Sequence, residues 1–436
     1  MYFGEMSKLI KNSQTVSQIG KIENVVGMSV EASGLKAKVG DLATVITQDG
    51  GEGVSVEVVG FKDDKTVLMP YADLGGVASG DFVKNTGRSL DVPMGDFLKG
   101  RVVDALGNPI DDLGPFENAR QRYPVGSSYI NPLSRPPITD RLSFGIKAID
   151  GMLTIGKGQR MGIFAGSGVG KSTLMGMVAK YGLADINVIA LVGERGREVK
   201  EFIQKELGPE GMQRSVVVVA TSDQSAMMRM KCPMVATAIA EFFRDQGMDV
   251  LLMMDSLTRF AMAHREIGLA VGEPPIARGY TPSIYAELPK LLERSGNFDV
   301  GSITGIYTVL VEGDDTNEPI SDTVRGIVDG HIVLSRKLAH KNHYPAIDVS
   351  QSISRLMNSI VSPEHKALAS DIRNIMALYE ENADMISIGA YKAGLNPKLD
   401  RAIEKMPKVD EFLTQGVGES FDYEEVTKKM QEVLED

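Results

Sequence analysis

The 436-residue chain has no tryptophan and only one cysteine, and aromatic residues make up 6% of it. A single cysteine, Cys232, excludes an internal disulfide, and the sequence therefore fits a reducing compartment. No histidine or aspartate stands near Cys232 at a spacing typical of a metal site. We therefore expect this cysteine to be a buried packing residue.

Long apolar runs are also missing. No stretch approaches the roughly 20 apolar residues that a membrane-spanning helix needs, and residues 1–14 lack the apolar core of a secretory signal peptide. We therefore expect a cytoplasmic protein that is neither secreted by the usual route nor integral to a membrane.

Basic residues are in the minority, with 47 Lys and Arg against 58 Asp and Glu, which gives a formal net charge of −11. A general binder of the nucleic-acid backbone needs the opposite balance, so nucleic acid is not an expected partner. The hydrophobic content of 43% is sufficient for ordinary cores. At roughly 150 residues per domain, the length predicts about three domains.

Three regions differ in pattern. Residues 1–88 contain short β-rich segments separated by glycine turns, which predict a small closed β-barrel with too few aromatics to bind nucleic acid by stacking. Residues 89–358 are an entry linker followed by alternating apolar strands and helices, which predict a doubly wound α/β core. One of these helices is predicted at 235–246. Residues 359–436 carry helical apolar stripes and predict a small helical domain.

A glycine-rich turn that follows an apolar strand is the strongest motif. Its glycines allow backbone N–H groups to point at phosphates, its lysine adds a positive charge, and its Ser172 hydroxyl would then ligate Mg²⁺. The first position of the usual pattern is Ala165 instead of glycine. The alternative is a strand-to-helix turn that binds nothing. The predicted nucleotide-binding residues of the turn are Gly166, Ser167, Gly168, Val169, Gly170, Lys171, Ser172 and Thr173.

Two carboxylates follow neighbouring apolar strands of the predicted core. Asp255 ends the run 250–254, where it can hold Mg²⁺ through water, and the alternative is that it caps the next helix. Glu194 comes directly after the run 188–193 and is the best candidate for a general base. The alternative is an isolated surface glutamate.

The segments AGSGVGKST, GERGREV, LLMMDSLTRFAMAHREIG and YPAIDVSQSISR together resemble the catalytic subunits of rotary-type ATPases, and most closely the type III protein-export ATPases of the flagellum and the injectisome. The resemblance covers nearly the whole chain. It implies a RecA-like core with ATP and Mg²⁺ as ligands. It places Lys171 on the phosphates and Ser172 and Asp255 on Mg²⁺, with Glu194 orienting the attacking water and Arg195 supporting it.

The resemblance also gives roles to two residues that the sequence alone leaves open. Tyr344 matches the aromatic that stacks on adenine, although a core or interface tyrosine is the alternative. Arg355 matches the arginine finger that enters a neighbour's site, and otherwise it would be a solvated arginine. Because one chain carries both Glu194 and Arg355, a homo-oligomeric ring is sufficient, and the resemblance implies six copies.

Partners follow from the same resemblance. The loop 266–282 would face a central stalk protein. Independently of the resemblance, the apolar spacing of residues 1–12 predicts a short helix docking on a stator-like regulatory partner, and the alternative is disorder in the free protein. Export chaperone–cargo complexes and a membrane export gate at the inner membrane are the other expected partners. The resulting expectation is an ATP hydrolase that energises export of flagellar proteins.

Four alternatives stay open. An injectisome ATPase shares every motif. A proton- or sodium-driven synthase subunit would divide Glu194 and Arg355 between two chains. A hexameric nucleic-acid translocase is disfavoured by the net charge, and a non-catalytic ring subunit is disfavoured by Glu194.

Overall fold

A computed structural model of the chain describes residues 18–47, 53–117, 119–126, 130–311 and 318–435. The predicted docking helix at residues 1–12 lies outside this part of the chain. Within it, a β-barrel, an α/β core and a C-terminal group of helices follow one another, which confirms the predicted fold class.

Six antiparallel strands form a closed barrel at the start of the described chain. They are β1 (Ile19–Val26), β2 (Ser29–Ser33), β3 (Asp41–Ile46), β4 (Val54–Lys62), β5 (Lys65–Pro70) and β6 (Phe82–Ser89). The barrel closes in the order β1-β2-β5-β4-β3-β6. Its inward residues are apolar and include Ile22, Val45 and Val83, all fully buried. In β1 and β3 such residues alternate with more exposed ones, so that one face of the strand is buried, whereas β5 is buried along most of its length.

Short strands in the linker and at the entry to the core make two small sheets. Their bounds are β7 (Asp91–Pro93), β9 (Arg122–Pro124), β10 (Arg141–Leu142) and β11 (Ile155–Gly156). In these two-stranded sheets β7 pairs with β9, and β10 pairs with β11.

The core is built on a nine-stranded sheet. Its strands are β8 (Val102–Asp104), β12 (Arg160–Ala165), β13 (Ile186–Glu194), β14 (Ser215–Thr221), β15 (Asp249–Asp255), β16 (Gly296–Asn297), β17 (Ser302–Leu310), β18 (Gly330–Leu334) and β19 (Ile347–Ser354). They are arranged in the order β19-β18-β12-β17-β15-β13-β14-β8, with β16 paired to β17. All neighbours are parallel except β18 with β19 and β16 with β17.

Both faces of this sheet are covered, so its strands are apolar on both sides. In β13, Val188 and Ala190 belong to one hydrophobic cluster, whereas Ile189 and Leu191 belong to the other. This alternation explains the continuous apolar runs of the sequence. The core helices are α1 (Lys147–Met152), α2 (Lys171–Tyr181), α3 (Gly196–Glu201), α4 (Gly208–Gln213), α5 (Ala226–Arg244), α6 (Leu257–Ala270), α7 (Pro282–Leu292), α8 (Pro319–Ile327), α9 (Arg336–His340) and α10 (Met357–Ile360), with a π-helix at Phe202–Leu207.

Two sequence predictions in this region need correction. The helix predicted at 235–246 is α5, which begins at Ala226 and continues through Pro233. The segment 266–282 is irregular only from Val271 onward, because α6 extends to Ala270. A short 3₁₀ turn at Ala277–Gly279 interrupts the rest.

The C-terminal helices pack against one another and against α1. Two apolar stripes of helical spacing lie in this region, and half of each is buried in the cluster that also covers one face of the sheet, namely Ile372 and Ile375 of one and Leu399 and Ala402 of the other. The remaining members are partly buried against the same cluster: Met376, Tyr379, Ile403 and Met406. The helices are α11 (Pro363–Glu381), α12 (Ala383–Ser387), α13 (Pro397–Leu413) and α14 (Tyr423–Leu434).

A buried polar cluster fastens the barrel to the core. Lys231 of α5 donates to Glu57 Oε1 of the barrel at 2.8 Å, and the Tyr71 hydroxyl donates to Glu57 Oε2. The Ser225 hydroxyl, at the start of α5, donates to the Tyr71 carbonyl at 3.0 Å. Burial raises the pKa of the Tyr71 hydroxyl well above its usual range, so it stays a donor. The carboxylate of Glu57 therefore depends on Lys231 for its counter-charge.

Replacing this lysine tests the dependence. Lys231→Met leaves a buried carboxylate unpaired, and we expect the free energy of unfolding to fall by about 3–5 kcal/mol. Adding Glu57→Gln removes that charge, so the double variant should regain most of the loss in urea denaturation. Equal stability of the single and double variants would contradict this role of the pair.

Candidate functional site

Three parallel strands bring the predicted site residues to one edge of the sheet. β12 leads into the glycine-rich turn, β13 ends at Glu194, and β15 ends at Asp255. In the register of β13 and β15, Leu191 lies opposite Asp255, so these two strands end close together. The carboxyl edge of parallel strands is where such folds bind ligands.

The glycine-rich turn uses two of its glycines for backbone conformation. Gly168 and Gly170 have φ angles of 77° and 82°, a left-handed region that strains other residues. Gly170 directly precedes α2, whose N-terminus can bind an anion. Ala165 is still the last residue of β12 and pairs with Leu310 there, so a methyl group fits at this departure from the usual motif.

Lys171 lies between the two carboxylates. Its Nζ donates to Asp255 Oδ1 and is 3.8 Å from Glu194 Oε1. The lysine side chain is only 13% exposed, so these charges interact with little solvent screening. The structure thus brings together Lys171, Glu194 and Asp255, which the sequence separates widely.

Asp255 is not the cap of the following helix. Ser256 is the N-cap of α6, and its hydroxyl accepts a hydrogen bond from the Arg259 backbone N–H. Asp255 Oδ1 accepts instead from the Thr308 hydroxyl at 2.8 Å. The side chain of Asp255 therefore faces the glycine-rich turn, and the alternative of a capping residue is wrong.

Glu194 has the electrostatics of a base. Its pKa is raised to about 7, first by burial and then by the charge of Asp255, against the opposing effect of Lys171. A carboxylate with this pKa can accept a proton near neutral pH. Its side chain is 16% exposed, which argues against an isolated surface glutamate.

Arg195 is not drawn into this cluster. Its side chain is 77% exposed, and Nη1 pairs at 3.1 Å with Oε1 of Glu198 in α3, a carboxylate that also helps to raise the pKa of Glu194. Arg195 therefore follows Glu194 in the sequence, but its side chain lies in solvent.

Arg259 was missed by the sequence reasoning. It lies in the first turn of α6, and its side chain packs against Gly193, where an added Cβ would come within 3.1 Å of it. Its Nε is buried and has no hydrogen-bond partner among the described residues. Arg259 as a whole is half-buried, and a cation packed against the residue before Glu194 would favour an anionic ligand. The signal that the sequence offered for this residue was its position, four residues after Asp255.

Tyr344 stands over the glycine-rich turn. Its ring lies 3.4 Å from the position that a Cβ at Gly170 would occupy, and 38% of the residue is exposed. Its carbonyl accepts from the Gln415 backbone N–H at 2.9 Å, which fixes this loop to the end of α13. An exposed ring beside the turn is placed to stack on a base, and it is not a core tyrosine.

Arg355 lies at the amino-terminal ends of the parallel strands, whereas the glycine-rich turn lies at their carboxyl ends. It follows β19, which runs antiparallel to β18, and its N–H donates to the carbonyl of Asp329, which precedes β18. Within the described ranges, the hydrogen bond of its exposed guanidinium is a long one to the Arg325 carbonyl, at 3.5 Å. The six residues of β12 separate the two edges by roughly 17 Å. Arg355 therefore does not complete the site of its own chain.

No metal-binding group of three or more His, Cys, Asp and Glu side chains occurs in the described ranges. Oxygen donors at this end of the sheet include the Ser172 hydroxyl of the turn and the carboxylates of Asp255 and Glu194. None of the helices in the described ranges is long and apolar enough to span a membrane.

The chain matches known protein families along most of its length. Residues 22–87 match the β-barrel domain of the ATP synthase alpha/beta family, and residues 145–354 match its nucleotide-binding domain. Residues 361–432 match the C-terminal domain of the type III secretion ATPase EscN.

Individual proteins are similar over nearly the full length. A flagellum-specific ATP synthase of Bacillus subtilis is 51% identical over 94% of both chains. A type 3 secretion system ATPase of Xanthomonas euvesicatoria is 47% identical, over 96% of this chain and 94% of its own length. The solved structure of the assembled ATPase EscN from enteropathogenic E. coli is 43% identical with a TM-score of 0.91, and the match covers 95% of this chain and 100% of EscN.

The role of Glu194 can be tested by Glu194→Gln. The amide keeps the shape of the side chain but cannot accept a proton, so we expect ATP binding to be nearly intact and hydrolysis to fall about 100-fold or more. Phosphate release and nucleotide titration measure the two effects. Glu201→Gln, an exposed change on the adjoining helix α3, is the control and should be neutral. A folded Glu194→Gln variant with the parent rate would remove Glu194 from the mechanism.

Proposed function

We propose that this chain, which belongs to the ATP synthase alpha/beta family and to its type III secretion branch, hydrolyses ATP in a homo-oligomeric ring to energise export of flagellar proteins. The relatives with 50–51% identity over more than nine-tenths of the chain are named flagellum-specific, which favours the flagellum over the injectisome. The resemblance stated from the motifs is confirmed by these relatives.

The position of Arg355 is the observation that supports a ring. A phosphoryl-transfer site needs a cation to neutralise the charge of the transition state. Arg355 is at the wrong edge of the sheet to supply this cation to the site around Lys171 in its own chain. In a closed ring with head-to-tail contacts, the same arginine reaches the next chain's site. The relative EscN was solved as an assembled ATPase, which supports this arrangement, and six copies is our expectation.

Mg²⁺ is the second part of the proposal. The Ser172 hydroxyl and the Asp255 carboxylate would hold it, directly or through water, and such oxygen donors suit a hard cation. The cation supplies neutralisation of phosphate charge when bound. Asp255 is buried and already oriented by Thr308 and Lys171, so the donors fit the ion.

The chain's own residues then divide the work. Lys171 and the N–H groups of residues 166–173 hold the phosphates, and Tyr344 stacks on adenine. Glu194 orients the attacking water and accepts its proton, for which a pKa of about 7 is suitable. Arg195 would support this water only after its side chain leaves Glu198. A second kind of subunit is not required to supply the finger, because each chain of the proposed ring carries both Glu194 and Arg355.

Partners are proposed from the relatives. EscN was also solved in complex with its central stalk EscO, and we propose a stalk protein that contacts the loop 271–281 of this chain. Export chaperone–cargo complexes, a membrane export gate at the inner membrane, and a stator-like partner for residues 1–12 complete the proposal. A pull-down from the native cell, with identification of the bound proteins, separates flagellar from injectisome and synthase settings.

Mixing two inactive variants tests the action of Arg355 in a neighbour's site. Lys171→Ala has a defective pocket and an intact finger, whereas Arg355→Ala has the reverse. Lys171→Ala should lose most of its turnover because its pocket is defective. Arg355→Ala should lose most of its turnover because such fingers contribute roughly 10³- to 10⁵-fold. Mixed rings contain some interfaces where a good pocket meets a good finger, so phosphate release should partly return. If mixed rings form and no activity returns, while Arg355→Ala alone matches the parent, the assignment is wrong.

A further inference from the structure

Thr308 is a buried polar residue of β17, a strand that also carries the buried Thr304. Thr308 is 0% exposed, and its hydroxyl donates to Asp255 Oδ1 at 2.8 Å. β17 lies between β12 and β15 in the sheet, and Thr308 pairs with Ile163, two residues before the end of β12. The hydroxyl thus reaches the carboxylate at the end of the adjacent strand.

The same oxygen of Asp255 has two donors of different kinds. Lys171 Nζ and the Thr308 hydroxyl both bond Oδ1, and neither engages Oδ2. Lys171 also serves the phosphates in the proposed mechanism, so its bond to Asp255 competes with ligand binding. Thr308 is neutral and buried, and it has no such competing task. Its bond can persist whether Lys171 contacts Asp255 or a phosphate.

We infer that Thr308 is a positioning residue that holds the Asp255 carboxylate in the orientation needed for Mg²⁺ when Lys171 is bonded to phosphate. It acts through Asp255 and does not touch the substrate. This inference rests on the proposed role of Asp255 as a metal ligand. It predicts that loss of the hydroxyl affects the metal-dependent part of nucleotide binding and leaves the metal-free part unchanged.

Thr308→Val removes the hydroxyl and keeps the shape of the side chain. A hydrogen bond to a charged group corresponds to roughly 10- to 100-fold in binding. We expect the Mg²⁺ concentration for half-maximal hydrolysis to rise by that factor. A fluorescent ATP analogue should bind as tightly as in the parent when EDTA is present, but more weakly with Mg²⁺. Thr308→Ser keeps the hydroxyl and should restore the parent Mg²⁺ requirement.

Thr304→Val is the matched control. Thr304 is on the same strand and equally buried, but its hydroxyl accepts from the Gly158 N–H at 2.8 Å, away from the site. This variant should change thermal stability without changing the Mg²⁺ requirement. If Thr308→Val does not fold, Thr308→Ala and Thr308→Ser make the same comparison.

The outcomes separate the two proposals. If Thr308→Val or Thr308→Ala has the Mg²⁺ requirement of the parent while Asp255→Asn abolishes the response to Mg²⁺, Thr308 has no positioning role. The inference also fails if Thr304→Val shifts the requirement as much as Thr308→Val. If Asp255→Asn itself leaves the Mg²⁺ requirement unchanged, the metal site proposed at Asp255 is wrong.

Discussion

The contact of Lys171 with Asp255 and Glu194 is the interaction on which the site depends. It exists because three buried parallel strands end at one edge of the sheet, so residues far apart in sequence meet with little water between them. Burial and the charge of Asp255 raise the pKa of Glu194 to about 7, and the shared lysine opposes this shift. A phosphate that draws Lys171 away changes the charge balance of both carboxylates at once.

The same sheet also limits what one chain can do. Its carboxyl edge carries Lys171, and its other edge carries Arg355. A rigid sheet with apolar clusters on both faces holds these edges apart. In the proposed mechanism, the two groups therefore serve one reaction only between chains. The barrel adds a second fixed element, because Glu57 and Lys231 join it to α5 through a buried pair.

The sequence predicted the parts of the site that local pattern decides. A strand, a glycine turn and a helix require glycine at the left-handed positions Gly168 and Gly170, and a carboxylate that ends a buried strand points to the ligand edge. Thr308 and Arg259 were not predictable this way, because their contacts depend on which strands are neighbours and how α6 packs. The start of α5 was missed because Pro233 suggests a break, although the helix continues through it. The role expected for Arg355 came only from the resemblance to the rotary-type ATPases.

The most direct test of the account is the turnover of each chain as a function of protein concentration, measured together with particle mass. Dilute samples that contain only monomers should bind ATP but release phosphate very slowly. Turnover for each chain should rise as rings form and level off when all chains are assembled. Full turnover at concentrations where only monomers are present would contradict the claim that a neighbouring chain completes the site.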